Sequence, residues 1–94
     1  MSKSVLRAWY GHDTFGRSVE IAERADGVFF GRVLEYNGFG KGWSKWFKTK
    51  PSFTTHVINR YTDEEVELDE PRMTWGFKPM NKFVETPRYR LPKF

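Results

Sequence analysis

Two runs of strand-forming residues meet at the dipeptide Asp26-Gly27. Arg17 to Arg24 and Val28 to Tyr36 are rich in β-branched and aromatic side chains, and Asp-Gly suits the positive φ required at both centres of a two-residue turn. That turn pairs Ala25 with Val28, Glu23 with Phe30, Ile21 with Arg32 and Val19 with Leu34. Opposed residues share a face. This register therefore gathers Val19, Ile21, Ala25, Val28, Phe30, Leu34 and Tyr36 on one side. The other side carries Ser18, Glu20, Arg24 and Glu35, interrupted by Ala22, Phe29 and Val33. One face is the more apolar, as a half-buried antiparallel sheet requires, and a slip of one residue would reverse it.

Further strands follow from the same reasoning. Val5 to Tyr10 reads as a first strand closed by Gly11. Phe53 to Tyr61 reads as another, carrying Thr54, Thr55, Val57, Ile58 and Tyr61. Glu64 to Leu68 either returns as its hairpin partner or forms a short helix, since Thr62 and Glu65 have capping-box spacing; Pro71 would end either one. Met73, Trp75 and Phe77 alternate as a last strand. The stretch from Asn37 to Trp43 holds three glycines and reads as an interrupting loop. Trp43, Trp46 and Phe47 fit one face of a helical turn or both faces of a strand.

The expected fold is one mostly β antiparallel domain, a small barrel or curled sheet of five or six strands, with α+β and one short helix as the alternative. Residues 1–78 would form the domain and 79–94 a proline-containing basic strap or arm, packed in part by Phe83 and Tyr89. A chain of 94 residues suits one domain. Its 9 Phe, 4 Tyr and 4 Trp supply a core of few, large side chains. The absence of cysteine excludes disulfides, thiolate catalysis and cysteine-ligated zinc, and suits a reducing compartment. Met1 to Asp13 lacks the apolar run of a secretory signal, and no stretch approaches the roughly 20 apolar residues of a membrane span. The expectation is a cytoplasmic protein without a membrane segment or cofactor.

Charge falls in blocks. Residues 1–36 are balanced, residues 37–60 carry net +5 without an acid, residues 61–70 carry net −6 without a base, and residues 71–94 carry net +5. A basic block attracts polyanions. The acidic block either neutralises a basic neighbour or stands apart from it.

The most informative segment is Asn37 to Lys50, which interleaves Phe39, Trp43, Trp46 and Phe47 with Lys41, Lys45, Lys48 and Lys50. Single-stranded nucleic acid is held by such a combination: bases stack on rings while ammonium groups meet phosphates. Phe39, Trp43 and Trp46 are the expected stacking residues, and Lys41, Lys45, Lys48, Lys50 and Arg60 the expected phosphate contacts. The bland alternative makes the rings core and the lysines a solvated face. Asn37-Gly38-Phe39-Gly40 looks like the Gly-Phe-Gly centre of RNA-recognition and cold-shock motifs. The likeness ends there, because Lys41-Gly42 follows and Lys45-Trp46-Phe47 comes after the glycines rather than before, so no family is assigned.

Catalysis has little support in the sequence. His12-Asp13 and His56 could do acid–base work only if brought together, and no nucleophile-elbow, phosphate-loop or zinc-protease motif is present. Glu65, Glu67 and Asp69 would share one face of a strand. That arrangement is more common as a solvated edge than as a metal cluster. The functional expectation is therefore a non-enzymatic module binding single-stranded or structured nucleic acid. The alternative is a small protein-interaction module or inhibitor of the viral or mobile-element accessory type, docked on a larger protein.

Overall fold

A computed structural model describes residues 4–13, 15–59, 61–75 and 83–93. It is mostly β and antiparallel. The main sheet is built from β1 (Val5–His12), β2 (Ser18–Arg24), β3 (Phe29–Asn37), β4 (Gly40–Trp43), β5 (Phe47–Lys48) and β8 (Val84–Glu85). Its order is β4-β3-β2-β1-β8, with β5 also on β3. A second sheet is a two-stranded ribbon of β6 (Ser52–Ile58) and β7 (Glu65–Thr74). The end strands of the main sheet do not pair with each other, so the sheet is open and the barrel expectation is corrected. The only helical element among the described residues is a 3-10 turn at Arg88–Arg90, which removes the α+β alternative.

The two hairpins joining β1, β2 and β3 use the same turn. Gly16 N donates to Asp13 O and Asp13 N to Arg17 O; Gly27 N donates to Arg24 O and Arg24 N to Val28 O. In each case three residues separate the closing pair and a glycine occupies the last of them, with φ of +82° at Gly16 and +86° at Gly27. A three-residue loop ending in a left-handed residue is the second common hairpin solution. It requires one positive φ instead of two, so Asp26 can keep an ordinary backbone and bind Arg24 through its carboxylate.

This extra loop residue corrects the expected register. Val19 pairs with Val33, Ile21 with Gly31 and Glu23 with Phe29. The face of β2 is as expected, but β3 presents the opposite parity. Phe29, Gly31 and Val33 turn to the core, while Phe30, Arg32, Leu34 and Tyr36 turn outward. The core comprises Trp9, Val19, Ile21, Val33, Met73 and Phe83, with Phe29 and Trp75 packed against it. Each such aliphatic or aromatic burial stabilises by about 1.5–3 kcal/mol.

The ribbon root covers the inner face of the sheet. Met73 is fully buried, Phe53 meets Trp9 edge-on with ring centroids 5.7 Å apart, and Trp75 Nε1 donates to Thr49 Oγ1 at 2.5 Å. Glu64 to Leu68 does return as a hairpin partner, and no helix forms there. The loop between the strands is instead closed by Asn59, whose side chain accepts from Tyr61 N and whose carbonyl accepts from Asp63 N. Tyr61 therefore lies beyond the strand, fully exposed. Pro71 does not end β7. Thr54 pairs with Arg72 and His56 with Glu67, so Leu68 to Pro71 bulge out of the ladder, where a missing N–H costs nothing.

Gly11 likewise does not close β1; it is buried and pairs with Val19. Met73 belongs to β7, which ends at Thr74, and Phe77 lies outside the described residues. Phe83 is buried and Val84–Glu85 pair with Tyr10 and Trp9 of β1, whereas Tyr89 is exposed and does not pack as expected.

Candidate binding face

The segment from Asn37 to Lys50 is neither a loop nor a helix. Asn37 pairs with Gly40 around a tight turn at Gly38-Phe39, and β4 runs back along β3 with Lys41 opposite Tyr36 and Trp43 opposite Leu34. Ser44 N donates to Val33 O. The ladder resumes with Phe47 opposite Gly31 and Lys48 opposite Phe30. Three residues, Ser44 to Trp46, thus face two, Arg32 and Val33. The segments β4 and β5 form one edge strand with a bulge at Lys45-Trp46, opposite Arg32.

The bulge decides where the rings point. In a regular strand Trp43 and Trp46, three apart, would lie on opposite faces. The inserted residue restores them to the same face, the outer one, on either side of Arg32. The Arg32 guanidinium carbon is 4.6 Å from the ring centroid of Trp43 and 4.6 Å from that of Trp46. Glu20 holds the guanidinium from below, with Arg32 Nη2 at 2.6 Å and Nε at 2.8 Å from Glu20 Oε1. Glu20 is buried, so this pair is screened little, and the cation between two indoles contributes roughly 0.5–2 kcal/mol per ring.

Phe47 is sent to the inner face. Its ring lies 3.3 Å from where a Cβ on Gly31 would stand, and its centroid is 6.1 Å from that of Trp75. Gly31 is therefore the place where the sheet is thinned to admit the ring.

The lysines follow the same register. Lys41 and Lys48 stand opposite outward residues of β3, and Lys41 Nζ lies 5.6 Å from the Tyr36 ring. Lys45 occupies the bulge and Lys50 follows β5; all four lysines are exposed. Trp43 is 38% exposed and Trp46 is half-buried, so neither indole belongs to the core. Phe39 stands fully exposed at the β3–β4 tip. Arg60 lies outside the described residues.

Sequence reasoning missed several members of this face. Arg32, Glu20, Tyr36, Tyr10 and the Arg24–Phe30 pair, with Arg24 Cζ 4.8 Å from the ring centroid, all share it. For Phe30, Arg32 and Tyr36 the signal was the glycine at the third loop position, which sets the parity of β3, whereas Glu20 and Arg24 already stood on the polar side of β2 by alternation.

The catalytic constellations do not assemble. Asp13 accepts hydrogen bonds from Arg17 Nε at 2.7 Å, Arg17 N at 2.8 Å and Phe15 N at 2.9 Å. Burial alone would raise its pKa; the Arg17 side chain and the two backbone N–H groups outweigh burial and hold the carboxyl below its ordinary value. Asp13 thus anchors the first hairpin loop. His12 is on the outer face beside Tyr10, and His56 is on the ribbon, hydrogen-bonded to Thr55. Among the described residues no group of three or more carboxylates or imidazoles converges to hold a metal, and no helix is long and apolar enough to cross a membrane. No protein-family model, curated protein or solved structure matches the chain.

Proposed function

We propose that the protein is a non-enzymatic binding module whose outer sheet face takes single-stranded nucleic acid along the β4–β5 edge. The observation that supports this reading is the bulge, which sets Trp43 and Trp46 beside Lys41 and Lys48 on one solvent-facing side, with the exposed Lys45 in the bulge itself. The exposed indole surfaces and Tyr36 offer sequence-tolerant stacking, worth roughly 1–3 kcal/mol per base. The lysines lie along one edge strand and the residues just after it, all exposed, so an extended polyanion laid along the edge meets them in succession.

The test is fluorescence anisotropy with a labelled deoxythymidine oligonucleotide. Four phosphate contacts predict a logarithmic salt slope near −2.8, a loss of about 50-fold in affinity between roughly 50 and 200 mM salt. Trp46→Ala should weaken binding by about tenfold, the loss of one stacked base. Lys45→Glu should weaken it and flatten the slope. Binding that is absent, or independent of salt, removes the proposal.

A second reading, a protein-interaction module, rests on the cleft between the first hairpin loop and the β3–β4 end, and shares Tyr36 and Lys41 with the first. Phe15 and Tyr36, each more than 80% exposed or nearly so, border a cleft of about 460 Å³ with Leu34, Arg17 and Lys41. Exposed aromatic rings beside arginine are common anchors at protein interfaces. Capture of one stoichiometric partner that survives nuclease and is lost with Phe15→Ala favours this reading.

A further inference from the structure

The ribbon of β6 and β7 has two halves of different character. Its root is held by Phe53, Met73 and Trp75 against the core. Beyond the Leu68–Pro71 bulge, the pairs His56–Glu67, Val57–Val66 and Ile58–Glu65 contribute nothing to the core cluster. Ile58 is 59% exposed and Val66 41%. A free two-stranded hairpin is marginally stable in water, and this one carries Asp63, Glu64, Glu65 and Glu67, with Asp69 and Glu70 following in the bulge.

Asp63, Glu64, Glu65, Glu67, Asp69 and Glu70 are all exposed. Among the described residues, every ion pair lies elsewhere, joining Arg7 to Glu85, Arg17 to Asp13 and Glu35, Arg24 to Asp26, and Arg32 to Glu20. Among the described residues, no acid of this block is ion-paired with a lysine of residues 41–50. The lysine edge, residues 41–50, is the mirror case: an edge strand with four exposed lysines, no acid and no ion pair among the described residues. Both are also open ladders, since among the described residues no strand pairs with the outer side of β4–β5 or with the free sides of the ribbon.

Charge decides which open edges can meet. The acids lie on β7 and the turn before it, while β6 carries none, so β7 on β7 sets a block of net −6 against another, and lysine edge on lysine edge sets like against like. Like charges placed directly opposite are destabilising in a ladder. Of the charged edges, the remaining combination, β7 on β4–β5, sets opposite signs along two strands. We infer that the acidic ribbon of one copy docks on the lysine edge of a second copy, extending the open side of its sheet. The contact draws on lysines that the nucleic-acid reading also uses, but the two stand separately: one is read by oligonucleotide binding, the other by the mass of the nuclease-treated protein alone.

The test is sedimentation velocity over a range of concentrations at about 50 mM and about 0.5 M salt, where screening shortens from roughly 14 Å to 4 Å. The expected result is a species of at least twice the 11.2 kDa chain mass at low salt, returning to 11.2 kDa at high salt. Glu65→Lys with Glu67→Lys, and separately Lys45→Glu with Lys48→Glu, should each weaken association by roughly tenfold or more. Glu65→Gln with Glu67→Gln should act in the same direction without reversing charge, and guards against misfolding of the reversed variant. An equimolar mixture of the two reversed variants should restore the complex, because the unaltered acidic ribbon of one variant then meets the unaltered lysine edge of the other. A monomer at low salt overturns the inference, and so does association that ignores salt, ignores the substitutions, or is not restored by mixing.

Discussion

Gly31→Ala tests the register on which every assignment of face depends. A Cβ at this position would stand 3.1 Å from Ile21 Cδ1 and 3.3 and 3.4 Å from two carbons of the Phe47 ring. Ile21 is fully buried and cannot move away freely, whereas Phe47 is 37% exposed and can yield by a few tenths of an ångström. Overpacking of this kind costs about 1–3 kcal/mol. Replacing a strand glycine by alanine returns about 0.5–1 kcal/mol of backbone entropy. The net expectation is destabilisation of up to about 2.5 kcal/mol, a fall in melting temperature of up to roughly 10–20 °C for a domain of this size. Urea titration followed by circular dichroism gives the free energy, and a thermal scan gives the midpoint. Ile21→Val removes the nearest methyl and alone costs about 0.5–1.5 kcal/mol. The double variant should be more stable than the two single effects predict, by a few tenths to about 1 kcal/mol. Were the two-residue turn correct, residue 31 would face solvent and Gly31→Ala would stabilise. A stabilised variant, or strict additivity with Ile21→Val, refutes the parity assigned to β3.

Three other outcomes follow from particular residues. Gly27→Ala puts a side chain at φ +86° and should cost about 1 kcal/mol in a urea melt, while Gly38→Ala, with open space around its Cβ and no positive φ, should be neutral or slightly stabilising. Because the folded state holds the Asp13 pKa below its unfolded value, Asp13 contributes stability that is full above about pH 4 and is lost as pH falls through the depressed folded pKa. Stability curves against pH should therefore be shallower below pH 4 in Asp13→Asn than in the parent. Variants retaining one tryptophan each should differ in acrylamide quenching, with Trp43 the more accessible and Trp9, at 4% exposure, shielded; equal quenching of the two contradicts their placement on opposite faces.

Most of the fold class was legible from residue types. Alternation in Ser18–Arg24, β-branched residues in Ser52–Ile58, the scarcity of helix signals and the glycines at turns all point to antiparallel strands. The assignment of Val19 and Ile21 to the core needed nothing beyond the alternation of their own strand. The failures are of two kinds. Pro71 and Gly11 were read as stops because local propensity carries no information about a bulge or a paired neighbour that accommodates them. The parity of β3 was misread because Asp-Gly suits both a two-residue turn and the last two places of a three-residue one. The choice between them is made by how Phe29, Gly31 and Val33 pack under Met73 and Phe47.

The candidate site divides along the same line. That four lysines and three large rings lie within ten positions is a property of the chain, and so is the separation of basic from acidic blocks. Whether they share a surface is not, since strand periodicity alone would put Trp43 and Trp46 on opposite sides. One extra residue in the edge strand, matched to Arg32 and held by Glu20 from the neighbouring strand, turns both indoles the same way. The chain thus determined local conformation and charge order, which depend on near neighbours. Tertiary structure decided facing and company, because register, bulges and burial are set by contacts between residues distant in sequence.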